Sequence, residues 1–211
     1  MILDVTSSVN PLLITELIKL FDVTQLSNEQ LVQVDSLENW DGHYSLKSTN
    51  PTLYHRCEYF VAKNAMEDEL GTEMFNQFLA THLFKRQIAW GAKMEHGKWW
   101  DNTHTEDKVE TRQDIVLKSF DDAWKSLVED FGPDPNQWTW DKVHTLEHEH
   151  PIGQVESLRK YFNVGPFPVS GTREVINNMA FPYDSTGYYK VNSGPSTRRI
   201  IDFSDIENSI S

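Results

Sequence analysis

The sequence predicts an α+β fold, in which a mainly helical, bundle-like region (1–135) precedes short antiparallel strands and loops (136–211). Apolar residues keep helical spacing through most of the first region, whereas glycines and prolines recur too often for long helices after residue 135. Apolar residues make up 38% of the 211 positions and aromatic residues 12%, so a core built largely from rings is expected. We therefore predict that the two regions pack together as one unit.

Caps and apolar stripes predict the first two helices. Asn10-Pro11 precedes the first helix, because proline is well tolerated in a first turn. Ser27, followed three residues later by Gln30, predicts a capping box at the start of the second. We expect this second helix to stop before Asp41-Gly42.

Three further helices complete the predicted helical region. The third begins at Asn50-Pro51 and is expected to end at Gly71. A shorter helix is predicted over residues 74–83. The longest is predicted over residues 110–131, where apolar positions keep helical spacing for four turns until Gly132-Pro133.

Less regular elements make up the rest of the prediction. The polar run W-W-D-N-T-H-T-E-D at 99–107 indicates a surface loop. Residues 155–162 are predicted to be helical. Val, Ile, Tyr and Phe concentrate between turn residues at 173–179, 188–192 and 198–203, which predicts three strands.

The charge of the chain argues against two classes of partner. The formal net charge is −13, and the 19 basic residues are spread thinly. A nucleic acid or an anionic membrane would need clustered Lys and Arg. No apolar run approaches the roughly 20 residues that cross a bilayer, and the first residues lack a secretory signal pattern. We expect neither a nucleic-acid nor a membrane partner.

The single cysteine, Cys57, cannot form an internal disulfide bond. Its apolar neighbours place it on a buried helix face, and only the adjacent Arg56 could lower its pKa. We interpret Cys57 as a core thiol rather than a nucleophile.

The run from Trp138 to Pro151, W-T-W-D-K-V-H-T-L-E-H-E-H-P, contains three of the eight histidines. His144, His148 and His150 are candidate metal ligands, because a helix would place the first two on one face and a strand the last two. A third ligand would have to come from elsewhere in the chain, and no H-E-x-x-H arrangement is present. The favoured alternative is that His144 and His150 are partly buried and hydrogen-bonded.

A second motif, G-P-S-T-R-R-I-I-D, contains Gly194, Ser196, Arg198 and Asp202. Ser196 has no neighbouring histidine to act as base, and an arginine is too basic to accept a proton. We therefore favour an ion pair from Arg198 that joins a strand to the rest of the protein over a substrate contact.

These two segments resemble motifs of the penicillin acylase (penicillin amidase) family. The first is similar to the W-x-W-G-x-x-H-(x5)-H-P stretch of that family, with Asp141 in place of the glycine, and the second to its G-x-S-x-R-x-x-x-D segment. The start M-I-L-D-V-T-S-S is similar to the Q-x-D-x-x-S segment of the family, and residues 39–42 match its W-D-G turn. The resemblance therefore covers nearly the whole chain.

The resemblance implies a chemistry whose nucleophile this chain lacks. Members are N-terminal nucleophile hydrolases, in which a precursor cuts itself to free a serine at the start of the larger (beta) subunit. The α-amino group of that serine serves as base, while backbone amides and an asparagine stabilise the oxyanion. The matched segments resemble the downstream half of that subunit. The nucleophile, the oxyanion asparagine and the calcium ligands of some members are then expected upstream of Met1.

No catalytic residue is therefore assigned to this chain. The motif residues are predicted to be structural: Trp138, Trp140, His144, His150, Pro151, Gly194, Ser196, Arg198 and Asp202. No cofactor is expected in this segment, and calcium is possible only in the parent protein. The expected partner is the remainder of the parent polypeptide.

The implied parent is a periplasmic or secreted amidohydrolase that acts on substrates of the beta-lactam or acyl-homoserine-lactone type. The sequence stops in an extended segment, which favours a fragment. The alternative is an independent acidic module that binds a metal or ligand through the cluster from His144 to His150. Five tryptophans could line an acyl pocket, although rings at such density more often form core: Trp90, Trp99, Trp100, Trp138 and Trp140.

Overall fold

The structure is a computed structural model that describes residues 3–81, 83–94, 97–195, 201 and 203–208. In these ranges the α-helices are α1 (Asn10–Ile18), α2 (Asn28–Glu38), α3 (Asn50–Leu79), α4 (Leu83–Gly91), α5 (Arg112–Phe131), α6 (Trp140–Val143) and α7 (Glu156–Phe162). The strands are β1 (His144–His148), β2 (Val164–Pro168) and β3 (Tyr189–Val191). Short 3₁₀ helices cover Val23–Gln25, Lys98–Trp100, Pro135–Gln137, Pro151–Gln154 and Ile206–Asn208.

The predicted α+β class is confirmed, because the helices α1 to α6 lead into a small sheet with strand order β2-β1-β3. β1 and β2 are antiparallel, and Leu146 lies opposite Phe167. β3 runs parallel to β1, so the expectation of antiparallel strands is wrong for this pair. The physical reason is that β2 ends and β3 begins at the end of the sheet where β1 begins, so the connection over residues 169–188 carries the chain from one side of β1 to the other.

The predicted helix signals are confirmed at several termini. Ser27 and Gln30 form the expected capping box of α2. Gly132, with φ 84°, follows α5 at its predicted end. Gly71 also breaks the helical backbone, at φ 73° and ψ 155°, but the chain resumes a helix directly beyond it. α3 therefore consists of two helical segments that meet at Gly71, where the sequence predicted that one helix ends and another follows.

Other predicted boundaries are wrong. The helix expected over 74–83 is present beyond the break at Gly71, but it ends at Leu79, and the separate helix α4 begins at Leu83. Residues 173–179 form turns rather than a strand, because their backbone bonds go to scattered partners such as Asp4 and Thr172. The strand over 188–192 is confirmed as β3, and the helix over 155–162 as α7. Most of the strand expected over 198–203 lies outside the described residues.

Aromatic rings dominate the core, as the composition predicted. α3 lies at its centre, with residues 51–59 buried on every side and α5 packed along it. Cys57 is buried in this stretch, and burial raises the pKa of its thiol. The largest fully buried side chains include Trp138, Trp140, Tyr44, Tyr54, Tyr189 and Phe120. None of the described helices is long and apolar enough to span a bilayer.

Candidate functional site

The motif from Trp138 to Pro151 forms a connector between the helices and the sheet. Trp138 and Trp140 are fully buried. Their indole N–H groups donate to the carbonyl oxygens of Gly132 at 3.0 Å and Gly171 at 3.1 Å. Because a buried indole N–H needs an acceptor, these bonds fix the end of α5 and the loop after β2 against the connector.

His144 begins β1 and stacks on Trp140, with ring centroids 4.6 Å apart. Its Nδ1 lies 2.7 Å from the Val169 carbonyl oxygen, and its Nε2 lies 3.2 Å from the Met179 carbonyl oxygen. Burial lowers the pKa of His144 to about 4, although both hydrogen bonds act in the opposite direction. The ring is therefore neutral at pH 7, and the shorter contact assigns its proton to Nδ1.

His148 and His150 lie at the exposed end of the connector. His150 caps the 3₁₀ helix Pro151–Gln154, because its Nδ1 accepts from the backbone N–H of Ile152 at 3.2 Å. Its ring also stacks on Phe162 at 5.6 Å. Within the described part of the chain, no group of three His, Cys, Asp or Glu side chains could hold a metal ion. The candidate histidines are thus not brought together as a metal site there.

Glu147, between these histidines, is surrounded by basic and amide groups. Its side chain is only 3% exposed. Arg159 Nε donates to Oε1 at 2.9 Å, Asn163 Nδ2 donates to the same oxygen at 3.1 Å, and Lys190 Nζ lies 3.2 Å from Oε2. Hydrogen bonds from Arg159 and Asn163 lower the pKa of Glu147 to about 2. This carboxylate therefore ties β1 to α7 on one side and to β3 on the other.

The second motif is only partly described. Gly194 is exposed and follows the β-bridge between Ala180 and Ser193. Ser196, Arg198 and Asp202 lie outside the described residues. The structural role predicted for them, including the ion pair of Arg198, stays a prediction.

The five tryptophans considered as a pocket lining separate into two groups. Trp138 and Trp140 are core residues, and Trp138 packs edge-on against Trp124. Trp90 and Trp99 are 58% and 40% exposed. They border a shallow apolar cleft with Trp100, Met66, Ile88 and Met94. The five rings therefore do not form one pocket.

A buried polar network, which we did not predict, lies beside the connector. Its members are Asn10, Tyr44, Tyr54, His55, Glu58, Lys85, Thr172 and Tyr183. At its centre His55 stacks on Trp140 with ring centroids 5.2 Å apart. Trp140 thus contacts both His55 and His144, and it links the family motif to the network.

His55 and Glu58 lie one turn apart on α3, and both are buried. The Tyr54 hydroxyl donates to Glu58 Oε1 at 3.2 Å, and the Tyr183 hydroxyl donates to Oε2. His55 Nδ1 lies 3.3 Å from the same Oε2, while its Nε2 lies 3.1 Å from the Tyr44 hydroxyl. Every polar atom of this pair therefore has a partner inside the core.

The charges of the network are set by its surroundings. Burial lowers the pKa of His55 to about 4, although the hydrogen bond to Glu58 acts in the opposite direction. For Glu58, burial acts to raise the pKa, but the charge of Lys85 and the hydrogen bond from His55 outweigh it, so the pKa is lowered. Lys85 Nζ also lies 3.2 Å from Asn10 Oδ1 and 3.3 Å from Glu174 Oε2. The network thus holds a neutral imidazole beside a carboxylate, and Lys85 connects it to the surface.

An imidazole and a carboxylate within hydrogen-bonding distance could exchange protons with a substrate. Among the described residues, however, the side chains of His55 and Glu58 are both fully buried. Six rings surround His55: Tyr44, Tyr54, Trp140, Phe181, Tyr183 and Tyr189. We therefore interpret the network as structural. The run H-R-C-E at 55–58 is the one signal in the sequence, because it places His55 and Glu58 one helical turn apart beside the apolar stripe of this helix; it indicates the pair but not its distant partners.

Residues 1–211 match the family described as penicillin amidase. An acyl-homoserine lactone acylase, QuiP, of Pseudomonas aeruginosa is 23% identical over 194 residues, which cover 82% of this chain and 22% of that protein. QuiP of Pseudomonas putida is 24% identical over 177 residues, covering 81% of this chain and 21% of that protein. The chain thus spans about a fifth of the length of the curated relatives it matches.

The chain belongs to the penicillin amidase family. The resemblance predicted from the two motifs is confirmed at the level of the family.

Proposed function

We propose that this chain is a structural segment of a penicillin amidase-type acylase, which hydrolyses the amide bond of acylated substrates. The observation that carries the proposal is the family match over residues 1–211. The names of the two relatives describe acyl-homoserine lactone acylases, and they favour acyl-homoserine lactones over beta-lactams as substrates.

The nucleophile would come from sequence outside this chain. The family resemblance implies a serine at the start of a subunit, with its own α-amino group as base. The relatives are about five times longer than the stretch they share with this chain, which leaves room for such a segment. The remainder of that polypeptide is then the partner of this chain, and any calcium would be bound there.

The contribution of this chain would be a rigid support. The rings around His55 and Trp140 hold the helices, and the connector holds the sheet against them. Preorganised sites need such support, because a displacement of about 1 Å in a reacting group costs large factors in rate. The network inside the core therefore matters through position rather than through chemistry.

The test compares the pure chain with the longest polypeptide that its gene encodes. Each is incubated with a series of N-acyl-homoserine lactones and with a phenylacetyl amide, and the released amine is measured with an amine-reactive dye. The longer polypeptide is expected to release product and the pure chain none. Turnover by the pure chain would contradict the assignment of the nucleophile to other sequence. A longer polypeptide that hydrolyses none of these amides would contradict the acylase proposal itself.

A further inference from the structure

α7 and β2 present an unusual surface, which we call the α7–β2 surface. None of the residues of α7 is buried, and all five residues of β2 are exposed. Six large apolar side chains within thirteen positions are between 36% and 70% exposed: Val155, Leu158, Tyr161, Phe162, Val164 and Phe167. Soluble proteins rarely expose such a concentration of apolar side chains to water. An exposed apolar patch of this kind commonly marks an interaction surface.

The orientation of α7 is the reverse of that of a helix on a solvated surface. Such a helix normally turns its apolar stripe toward the core and its charges toward water. α7 instead attaches mainly through polar groups, since Arg159 donates to Glu147 and Asn163, just after the helix, donates to the same carboxylate. Within the described ranges, its one ring contact with the rest of the chain is the stacking of Phe162 on His150. Leu158, Tyr161 and Phe162 share the stripe that remains exposed. The apolar side of α7 therefore faces away from the rest of the chain, in the position where a second apolar surface could cover it.

Two properties argue against a second copy of the chain as the cover. Pro166 and Pro168 stand within the five residues of β2, and they remove backbone N–H groups that edge-to-edge pairing would need. The formal net charge of −13 also opposes association between identical chains. Neither a strand added to β2 nor a second copy of this acidic chain is therefore favoured as the partner of this surface.

We propose that the α7–β2 surface is where the remainder of a longer polypeptide packs onto this chain, through apolar side chains rather than through an added strand. The inference rests on the proposed function, because relatives about five times longer than the matched stretch supply the occupant. It goes further by naming the face on which the two parts meet.

Cysteine labelling tests the inference in the native protein. Cys57 is the only cysteine of the chain, and it is buried, so new surface thiols can be followed without changing it. Tyr161→Cys and Phe167→Cys place thiols on the α7–β2 surface. Lys125→Cys, at a side chain 70% exposed on α5, is the matched control. The rate of maleimide labelling is measured in the pure chain and in the longest polypeptide encoded by the gene, after circular dichroism has checked each fold.

All three thiols should react readily in the pure chain. In the longer polypeptide the two thiols of the α7–β2 surface should react more than about tenfold more slowly, with Lys125→Cys unchanged. Equal rates in both proteins, or equal slowing at all three positions, would overturn the inference. So would protection in the pure chain accompanied by a dimer in sedimentation, or a gene that encodes no more than this chain. Labelling needs no catalysis, so protection in an inactive longer polypeptide would remove the acylase proposal and leave this one standing.

Discussion

Helix α3 and helix α7 differ in which of their faces the rest of the chain covers. Residues 51–59 of α3 are buried on every side, and the polar groups His55 and Glu58 are satisfied by partners inside the core. α7 buries no residue, and it is attached through Glu147. The comparison teaches that the helical region is stabilised by contacts within the chain, whereas the outer part of the sheet region depends on a few polar bonds.

The largest effect is expected from Glu58→Ala, because it removes the acceptor at the centre of the buried network. Tyr54, Tyr183 and His55 would then have no carboxylate to receive their hydrogen bonds, and the free energy of unfolding should fall by about 3–5 kcal/mol. Urea unfolding measures this loss. Glu58→Gln keeps an acceptor oxygen and should lose about half as much. Glu156→Ala, at a side chain 90% exposed, should change little, and a similarly small loss for Glu58→Ala would refute the importance of the network.

Trp140→Phe should lower the free energy of unfolding by about 2–3 kcal/mol. The change removes the hydrogen bond to Gly171 and part of the ring that stacks on His55 and His144. Urea unfolding again gives the value. The same substitution at the exposed Trp90 is the control and should cost less than about 0.5 kcal/mol. Equal losses at the two positions would mean that Trp140 stabilises the protein no more than an exposed tryptophan does.

The buried core and the attachment of α7 should also differ in the pH at which they lose stability. His55 and His144 have pKa values lowered from 6.5 to about 4, so between these values the unfolded chain binds protons that the folded chain does not. Their contribution is therefore present above pH 6.5 and is lost as the pH falls toward 4, by about 1.4 kcal/mol per pH unit for each proton. Unfolding measured from pH 7 to pH 4.5 should show this slope, and His144→Gln should reduce it. Glu147→Gln should leave it unchanged, because Glu147 titrates at lower pH.

Glu147→Gln should loosen α7 locally, by about 1–2 kcal/mol, because a neutral amide binds Arg159 and Lys190 less strongly. Amide hydrogen exchange should accelerate in α7 and stay unchanged in α3. The pKa of Glu147 is lowered from 4.5 to about 2, so its contribution is present above pH 4.5 and is lost as the pH falls toward 2. Glu149→Gln, at an exposed partner of Lys190, should accelerate exchange in α7 much less. Faster exchange throughout the protein would show that α7 is not a separate unit.

Local signals in the sequence predicted the helical region well. The capping box at Ser27 and the glycines at 71 and 132 act through neighbouring residues, so their effects could be predicted without knowing the fold. β2 was missed because V-G-P-F-P contains two prolines, which normally argue against a strand. The parallel direction of β3 depends on the path of the long connection before it, and this path is a tertiary property.

The candidate site was likewise predictable from the sequence only in part. The spacing of Trp138, Trp140 and His144 predicted the family, because a motif is a property of the sequence itself. The network around His55 could not be predicted from spacing, since its partners Tyr183 and Lys85 come from distant segments. Tyr183 is 128 residues from His55, and Lys85 is 75 residues from Asn10. Such contacts exist only once the core has formed.

The smallest effect is expected from substitutions of the exposed apolar side chains of α7. Leu158→Ser and Tyr161→Ser remove apolar atoms from side chains that are 36% and 70% exposed in this chain, so together they should change its free energy of unfolding by about 1 kcal/mol or less. Leu37→Ser, at a fully buried position of α2, is the matched control and should cost about 3 kcal/mol or more. Urea unfolding compares the variants. A large loss from the two α7 substitutions would show that the chain itself covers these side chains. A negligible loss, with less aggregation at high concentration, would mean that their apolar character serves contacts beyond the chain.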